Sequence, residues 1–231
     1  MPPNKLAAVV DALHEMYGSI RPQVTDPFEM ILLENVAYLV DDAKRFETFA
    51  KLRKNVGSTP RAILAHTANE IGEVIAGGGM QPLMRAGKVL EAARVAETIA
   101  LENLDAVVSN DARAAKQLLR RFPSVGEPSA DRILLFAGSQ ITLAPDSNAL
   151  RVLVRLGFAR EEKNYSKMYR SAISATSGFL ENISFAQRAH LLLRKHGQEL
   201  CKRSAPRCEL CPLRSDCVWY RDARPSGAPK G

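Results

Sequence analysis

Long apolar runs are missing from this chain: no stretch approaches the eighteen or so hydrophobic residues that a membrane-crossing helix requires. The opening MPPNKLAAVVDALHEMYG lacks the basic start, apolar stretch and small-residue cleavage site of a secretory leader, so a cytoplasmic location is expected, with nucleoid association if the source is prokaryotic. No membrane partner is expected. Aromatic residues are scarce at 6%, with a single tryptophan, and no segment alternates polar and apolar residues long enough to argue for a sheet. Acidic residues are the smaller charged class: 25 Asp and Glu against 32 Lys and Arg give a net charge of +7, which suits a polyanionic partner without specifying one.

What is present is a globular composition, 231 residues with 46% hydrophobic content, enough for one good core or two modest ones. Apolar residues recur at spacings of three and four, as in Leu6, Val9, Val10, Leu13 and Met16, which predicts an all-α fold. Helices are expected at about 27–40, 42–55, 60–66, 68–76, 82–100, 111–122, 128–137, 147–157, 165–179 and 184–200. Asp26-Pro27-Phe28-Glu29 combines an N-cap, a first-turn proline and a capping-box glutamate, and Thr67 to Glu70 repeats the box. Gly77-Gly78-Gly79 reads as a loop, and 221–231, ending in RPSGAPKG, reads as a flexible tail. No internal repeat is visible.

Four cysteines, Cys201, Cys208, Cys211 and Cys217, fall within seventeen residues in the order C-x6-C-x2-C-x5-C. Links this short let four thiolates converge on one inorganic centre, and a [4Fe-4S] cluster is the reading adopted. A four-cysteine zinc site and a pair of disulfides are the alternatives. Zinc sites usually show two C-x2-C knuckles where this chain has one, and disulfides suit a secreted chain.

Upstream, Phe122-Pro123-Ser124-Val125-Gly126-Glu127-Pro128-Ser129-Ala130 separates two predicted helices. Helix, tight turn, helix would present backbone N–H groups at a helix N-terminus, where a phosphate is favoured. Arg120, Arg121 and Arg132 would add charge. The same turn also joins helices that bind nothing.

This hairpin, together with Ala144-Pro145-Asp146-Ser147-Asn148-Ala149-Leu150-Arg151-Val152, His196-Gly197-Gln198-Glu199-Leu200-Cys201 and the cysteine loop, resembles the endonuclease III superfamily of DNA glycosylases from about Pro27 to Tyr220. The resemblance implies a two-lobed helix-hairpin-helix fold: a helical, barrel-like lobe at 27–140 carrying the hairpin at about 111–137, and an iron-sulfur lobe of 1–26 plus 141–220. It also implies a monomer that binds double-stranded DNA containing a damaged or mispaired base across the groove between the lobes. Ser124, Val125, Gly126 and Arg132 would contact DNA from the hairpin. Lys202, Arg203 and Arg207, with Arg214 in the next loop, would contact it from the cysteine segment, unless they are simply solvated.

Asp146 matches the family's aspartate, which stabilises positive charge on the sugar and orients or deprotonates a nucleophile; it is also a good N-cap for the helix that follows. Bifunctional members carry a hairpin lysine that forms a Schiff base, and Pro128 stands in its place, so lysine-dependent strand cleavage is not expected and water activated by Asp146 becomes the nucleophile. Ser129 reads as a first-turn helix residue. Glu34 falls where adenine glycosylases of the superfamily protonate the leaving purine, and an acid within Met30-Ile31-Leu32-Leu33-Glu34-Asn35-Val36-Ala37-Tyr38 is either paired or at a site. Tyr38, one predicted helical turn onward, and Pro128 are assigned to the lesion pocket. The pocket departs from the family, with Tyr38-Leu39-Val40-Asp41-Asp42 in place of a glutamine-rich segment, and Ser124 in place of the first hairpin glycine. Met80 reads either as a wedge into the base stack or as a loop anchor. The chain ends soon after the cysteines, so a separate C-terminal recognition domain is not expected. Two rivals stand beside the glycosylase reading: a non-catalytic DNA-binding or redox-sensing iron-sulfur protein on the same scaffold, and a glycosylase retaining some lyase activity through another lysine.

Overall fold

The computed structural model describes residues 5–99 and 101–223. Among them are thirteen α-helices and no strand: α1 Lys5–Tyr17, α2 Pro27–Asn35, α3 Asp42–Asn55, α4 Pro60–Leu64, α5 Ala68–Val74, α6 Pro82–Thr98, α7 Leu101–Asn110, α8 Ala112–Leu119, α9 Glu127–Phe136, α10 Ser147–Arg155, α11 Tyr165–Ser177, α12 Ile183–Glu199 and α13 Val218–Ala223. No helix among the described residues is long and apolar enough to cross a membrane. The chain falls into two compact units, Gln23–Gln140 and Met1–Pro22 with Ile141–Gly231.

In the unit of residues 23–140 the starts of the helices follow local chemistry. Asp26 caps α2 by accepting from the Glu29 N–H at 2.7 Å, and Thr67 with Glu70 forms the complete capping box of α5. Glu29 does not close a second box: its carboxylate accepts from the Ser58 hydroxyl at 2.8 Å and pairs with Arg53 at 3.2 Å. Ile31, Leu32, Leu52, Ile63, Ile71, Ile75, Val89, Leu119 and Ile133 are fully enclosed and form the apolar interior of this unit.

Helix α2 ends at Asn35, five residues short of the predicted 40. The cause is tertiary. The Tyr38 N–H donates to the Gly78 carbonyl at 2.9 Å, forming an isolated bridge with the 78–79 segment, and Leu39 turns left-handed at φ 57°. Gly79 makes this pairing possible: its φ is 102°, and a Cβ there would stand 2.2 Å from the Tyr38 carbonyl oxygen. The triglycine is not wholly loop, since Ala76–Gly78 forms a 3-10 turn. Helix α7, absent from the sequence reading, buries Leu104 and Val108 and follows α6 without the glycine or proline that would announce a new helix.

In the unit of residues 1–22 and 141–231, Leu6, Val10 and Leu13 of α1 pack with Leu150, Leu153, Tyr169, Leu192 and Leu193 in one core. Helices α10 and α12 approach closely because Gly197 carries no side chain: a Cβ there would lie 2.6 Å from the Asn148 carbonyl oxygen. Residues 221–223, predicted to begin a flexible tail, instead complete α13; the rest of that predicted tail lies outside the described residues.

Candidate active site

The hairpin consists of α8, a tight turn and α9. Ser124 sits at φ 65°, the left-handed conformation a glycine would take freely, so the substitution leaves the turn's shape intact at a strain of about 1–2 kcal/mol. Lys88 of α6 donates to the Ser124 hydroxyl at 3.1 Å, bringing a cation to the turn that the sequence did not indicate. The Val125 side chain is buried and its N–H donates to the Phe122 carbonyl at 3.3 Å, so Val125 shapes the turn from inside. Gly126 is the N-cap of α9 and supplies no side-chain acceptor to the first-turn N–H groups, and Pro128 occupies that first turn as a proline should. Behind the turn, Lys116 pairs with Glu127 at 3.2 Å and with buried Asp131 at 2.8 Å. Ser129 is a half-buried residue of the same first turn, and Arg120 and Arg121 are exposed.

Glu34, in the last turn of α2, forms an ion pair with Arg132 of α9, and both side chains are largely enclosed. The next residue, Asn35, donates to the Pro123 carbonyl at 3.1 Å and so fastens the end of α2 to the hairpin turn. Glu34 therefore stands beside the hairpin as the carboxylate partner of a guanidinium, and its pairing removes Arg132 from the set of cations facing outward.

Tyr38 lies outside α2 and is 51% exposed, with Leu39 at 74% and Met80 at 62% in the same bridged tip. Arg85, only 2% exposed, holds this tip from beneath. It donates to the carbonyls of Met80 at 2.9 Å, Ile75 at 3.0 Å, Gly79 at 2.8 Å and Val36. Burial lowers its pKa, and backbone carbonyls replace the water it has lost.

Asp146 is the N-cap of α10, with a side chain 20% exposed. Its Oδ1 accepts from the Asn148 N–H at 3.0 Å and the Ala149 N–H at 2.8 Å. Its Oδ2 accepts from Asn148 Nδ2 at 3.3 Å and from Arg194 Nε at 2.8 Å. Burial works against the charged form, but Arg194, the Ala149 N–H and His190 outweigh it and hold the carboxyl below the usual carboxylate range. The anchoring continues along α10: Arg151 donates to Asn148 Oδ1 at 3.0 Å and to the carbonyls of Gly197 at 2.7 Å and Cys201 at 2.8 Å.

The four cysteines are free and line one small cavity. Arg155 donates to Cys201 Sγ at 3.2 Å and to the Lys202 carbonyl at 2.9 Å, while its guanidinium stacks 4.4 Å above Trp219. Cys211 Sγ lies 3.4 Å from His196 Nε2, and His196 Nδ1 lies 3.1 Å from the Tyr17 hydroxyl. Burial, and then the other three cysteines, push the Cys211 thiol up to about 11. Thiols that oppose one another's ionisation ionise together only with cationic charge among them. Among the described residues no three His, Cys, Asp or Glu side chains form a group that could hold a metal ion. A donor set of four sulfurs around one cavity fits a polynuclear centre, which spreads its ligands more widely than one zinc ion does. Lys202, Arg203 and Arg207 are exposed around this segment, as is Arg214.

The structure thus gathers the predicted residues into three places: Glu34 and Arg132 beside the Ser124–Gly126 turn, Asp146 at the head of α10, and the cysteines with their basic loop. Sequence reasoning missed Lys88, Arg85, Arg155 and Arg194. The signal for Arg194 was the one that drew attention to Glu34, a charged residue within an apolar helical run, here Leu191-Leu192-Leu193-Arg194.

No protein-family model matches the chain. It is 28% identical over 199 residues to an endonuclease III of Sulfolobus acidocaldarius, covering 84% of this chain and 83% of that protein. An endonuclease III of Rickettsia felis is 30% identical over 122 residues, and the match spans about half of each chain, 53% in both cases. The solved structure of a non-covalent complex of endonuclease III with DNA superimposes with a TM-score of 0.74 at 18% identity, over 96% of this chain and 98% of that one.

Proposed function

We propose that this chain, a member of the endonuclease III superfamily of helix-hairpin-helix DNA glycosylases, excises a damaged or mispaired base without the lysine chemistry that cleaves the strand. The observation that carries this reading is the Asp146 carboxylate, ionised and fixed in direction at the head of α10, in a chain whose hairpin has Pro128, without an amine, in the first turn of α9. Once the base is flipped, the C1′–N bond breaks and its electron pair leaves with the base, which takes up a proton. Asp146 stabilises the positive charge on the sugar. A water oxygen then bonds to C1′ and its proton passes to Asp146. The product is an abasic site in an intact strand.

The remaining assignments follow from the same reading. The Ser124–Gly126 turn and the α9 N-terminus grip a phosphate, with Lys88 alongside, and the exposed Lys202, Arg203 and Arg207 add contacts that hold register without reading sequence. Tyr38 belongs to the lesion pocket. Glu34 serves as general acid only where its pair with Arg132 opens. Cys201, Cys208, Cys211 and Cys217 hold a [4Fe-4S] cluster that pins their segment; no step of the excision passes through it. The protein acts as a cytoplasmic monomer, nucleoid-associated if the source is prokaryotic.

Excision is tested on duplexes bearing uracil, mispaired thymine, adenine mispairs, alkylated purines and oxidised pyrimidines, each scored with and without alkali. Product that depends on Asp146 and appears only after alkali supports the proposal. Borohydride trapping of a covalent adduct would replace water with an amine nucleophile, and silence on every duplex despite tight binding would favour a non-catalytic DNA-binding role.

A further inference from the structure

Asp146 has more partners than a working base can keep. An ionised carboxylate offers about four acceptor positions. Here the Asn148 N–H, the Ala149 N–H, Asn148 Nδ2 and Arg194 Nε account for four donors, two on each oxygen. Three of them belong to α10 itself and are inseparable from its cap. The fourth comes from α12, bears a full positive charge, and belongs to a side chain still 21% exposed. With Arg194 in place, a water at the sugar finds no acceptor site on the carboxylate. The guanidinium also opposes the cation that Asp146 is there to stabilise.

We infer that Arg194 is a latch on Asp146, released when a DNA phosphate takes over its guanidinium. Docking and unmasking are then one event: the polyanion that brings the base also removes the charge that silences the carboxylate. Arginine suits both states, since it pairs equally well with carboxylate and phosphate and never loses its proton. Gly197 sets the reach, because the close approach of α12 to Asn148 brings Arg194, one turn earlier, to Oδ2. In this role Arg194 is a positioning residue, acting on the reaction only through Asp146, and the inference rests on the proposed role of Asp146 at the sugar.

The other groups facing Asp146 are His190 of α12, Tyr165 of α11 and Arg151 of α10, and they stay when Arg194 is changed. Removing Arg194 takes away the nearest cation, so the Asp146 pKa rises and the active carboxylate is lost at a higher pH as the solution is acidified. In single-turnover excision at limiting duplex, where docking must still open the latch and the rate reports the free enzyme, Arg194→Gln is therefore expected to react about fivefold faster than wild type near neutral pH, at the lower end of the coupling usual between two sites. The acid limb of its pH profile should move up by about one unit. Arg194→Lys keeps the charge and should keep the wild-type limb. If Arg194→Gln is as slow as Asp146→Asn, or leaves rate and limb unchanged, the latch is wrong.

A second readout needs no turnover. The Asp146 carboxyl carbon, followed by NMR titration, should show a pKa that rises when wild type binds a duplex bearing a stable abasic-site analogue. In Arg194→Gln that rise should vanish. A titration indifferent to DNA would overturn the latch even in a protein that excises bases. A DNA-dependent shift in a protein that excises nothing would keep the latch and remove the catalytic reading.

Discussion

Glu34 and Asp146 are both largely enclosed carboxylates, each paired with an arginine from another helix of its own unit. Their backbones set them apart. Asp146 stands at the head of α10, where two backbone N–H groups and Asn148 fix both oxygens whatever its arginine does. Glu34 stands in the last turn of α2, where the helix has carbonyls to offer and no donors, so its direction depends on Arg132. A cap with its own donors can give up its ion pair and remain aimed, whereas a helix-end glutamate that gives up its arginine is free to turn. The first arrangement suits a charge that must wait in one place, and the second suits a proton donor that must reach.

The largest test of this contrast is Asp146→Asn, which keeps shape and removes charge. It should lower single-turnover excision by about a thousandfold while duplex affinity holds, the scale usual for a preorganised electrostatic group. Gly197→Ala attacks the aim of Asp146 rather than its charge. Its Cβ would collide with the Asn148 carbonyl at 2.6 Å, and thermal or denaturant unfolding should register about 2–3 kcal/mol of lost stability. Glu34→Gln should slow excision by about ten- to a hundredfold on a purine leaving group and far less on a pyrimidine. Equal losses on both would make Glu34 a partner of Arg132 and nothing more.

Acid unfolding sharpens the same comparison. The Asp146 pKa is depressed in the folded state, so its stabilisation is complete above the ordinary aspartate value near 4 and disappears as pH falls through the lower folded value. Asp146→Asn should flatten the stability-versus-pH curve in that acidic window and lower it at neutral pH, so that the difference from wild type shrinks as pH falls. Ser124→Gly carries the smallest effect, relief of left-handed strain against a more flexible unfolded chain and a lost bond from Lys88. A net change under about 1 kcal/mol is expected, readable by thermal shift.

The helical class, most of the helix starts and the N-cap at Asp146 were legible because each depends on residues a few positions apart. So was the proximity of four cysteines, since short links leave them little choice. The end of α2 was not, because it is set by a hydrogen bond from Tyr38 to Gly78, forty residues away, that no local pattern contains. Ser124, read as a departure from the family's hairpin glycine, is held by the fold in the glycine-like conformation at the cost of some strain, which the residue's identity alone does not reveal. Arg194 and Asp146 are separated by 48 residues, and only the packing of α12 on α10 makes them partners. Helix α7 escaped notice because a helix following directly on another leaves no breaker to mark its start.

Arg85 gives the unit of residues 23–140 one more property. Its guanidinium ties Val36, Ile75, Gly79 and Met80 to a single point inside the protein, so the tip bearing Tyr38, Leu39 and Met80 is already ordered before anything meets it. The conformational entropy of that tip was surrendered during folding rather than at the encounter. Whatever meets it meets a finished surface, and the speed of association there is set by diffusion and orientation, not by waiting for a loop to find its shape.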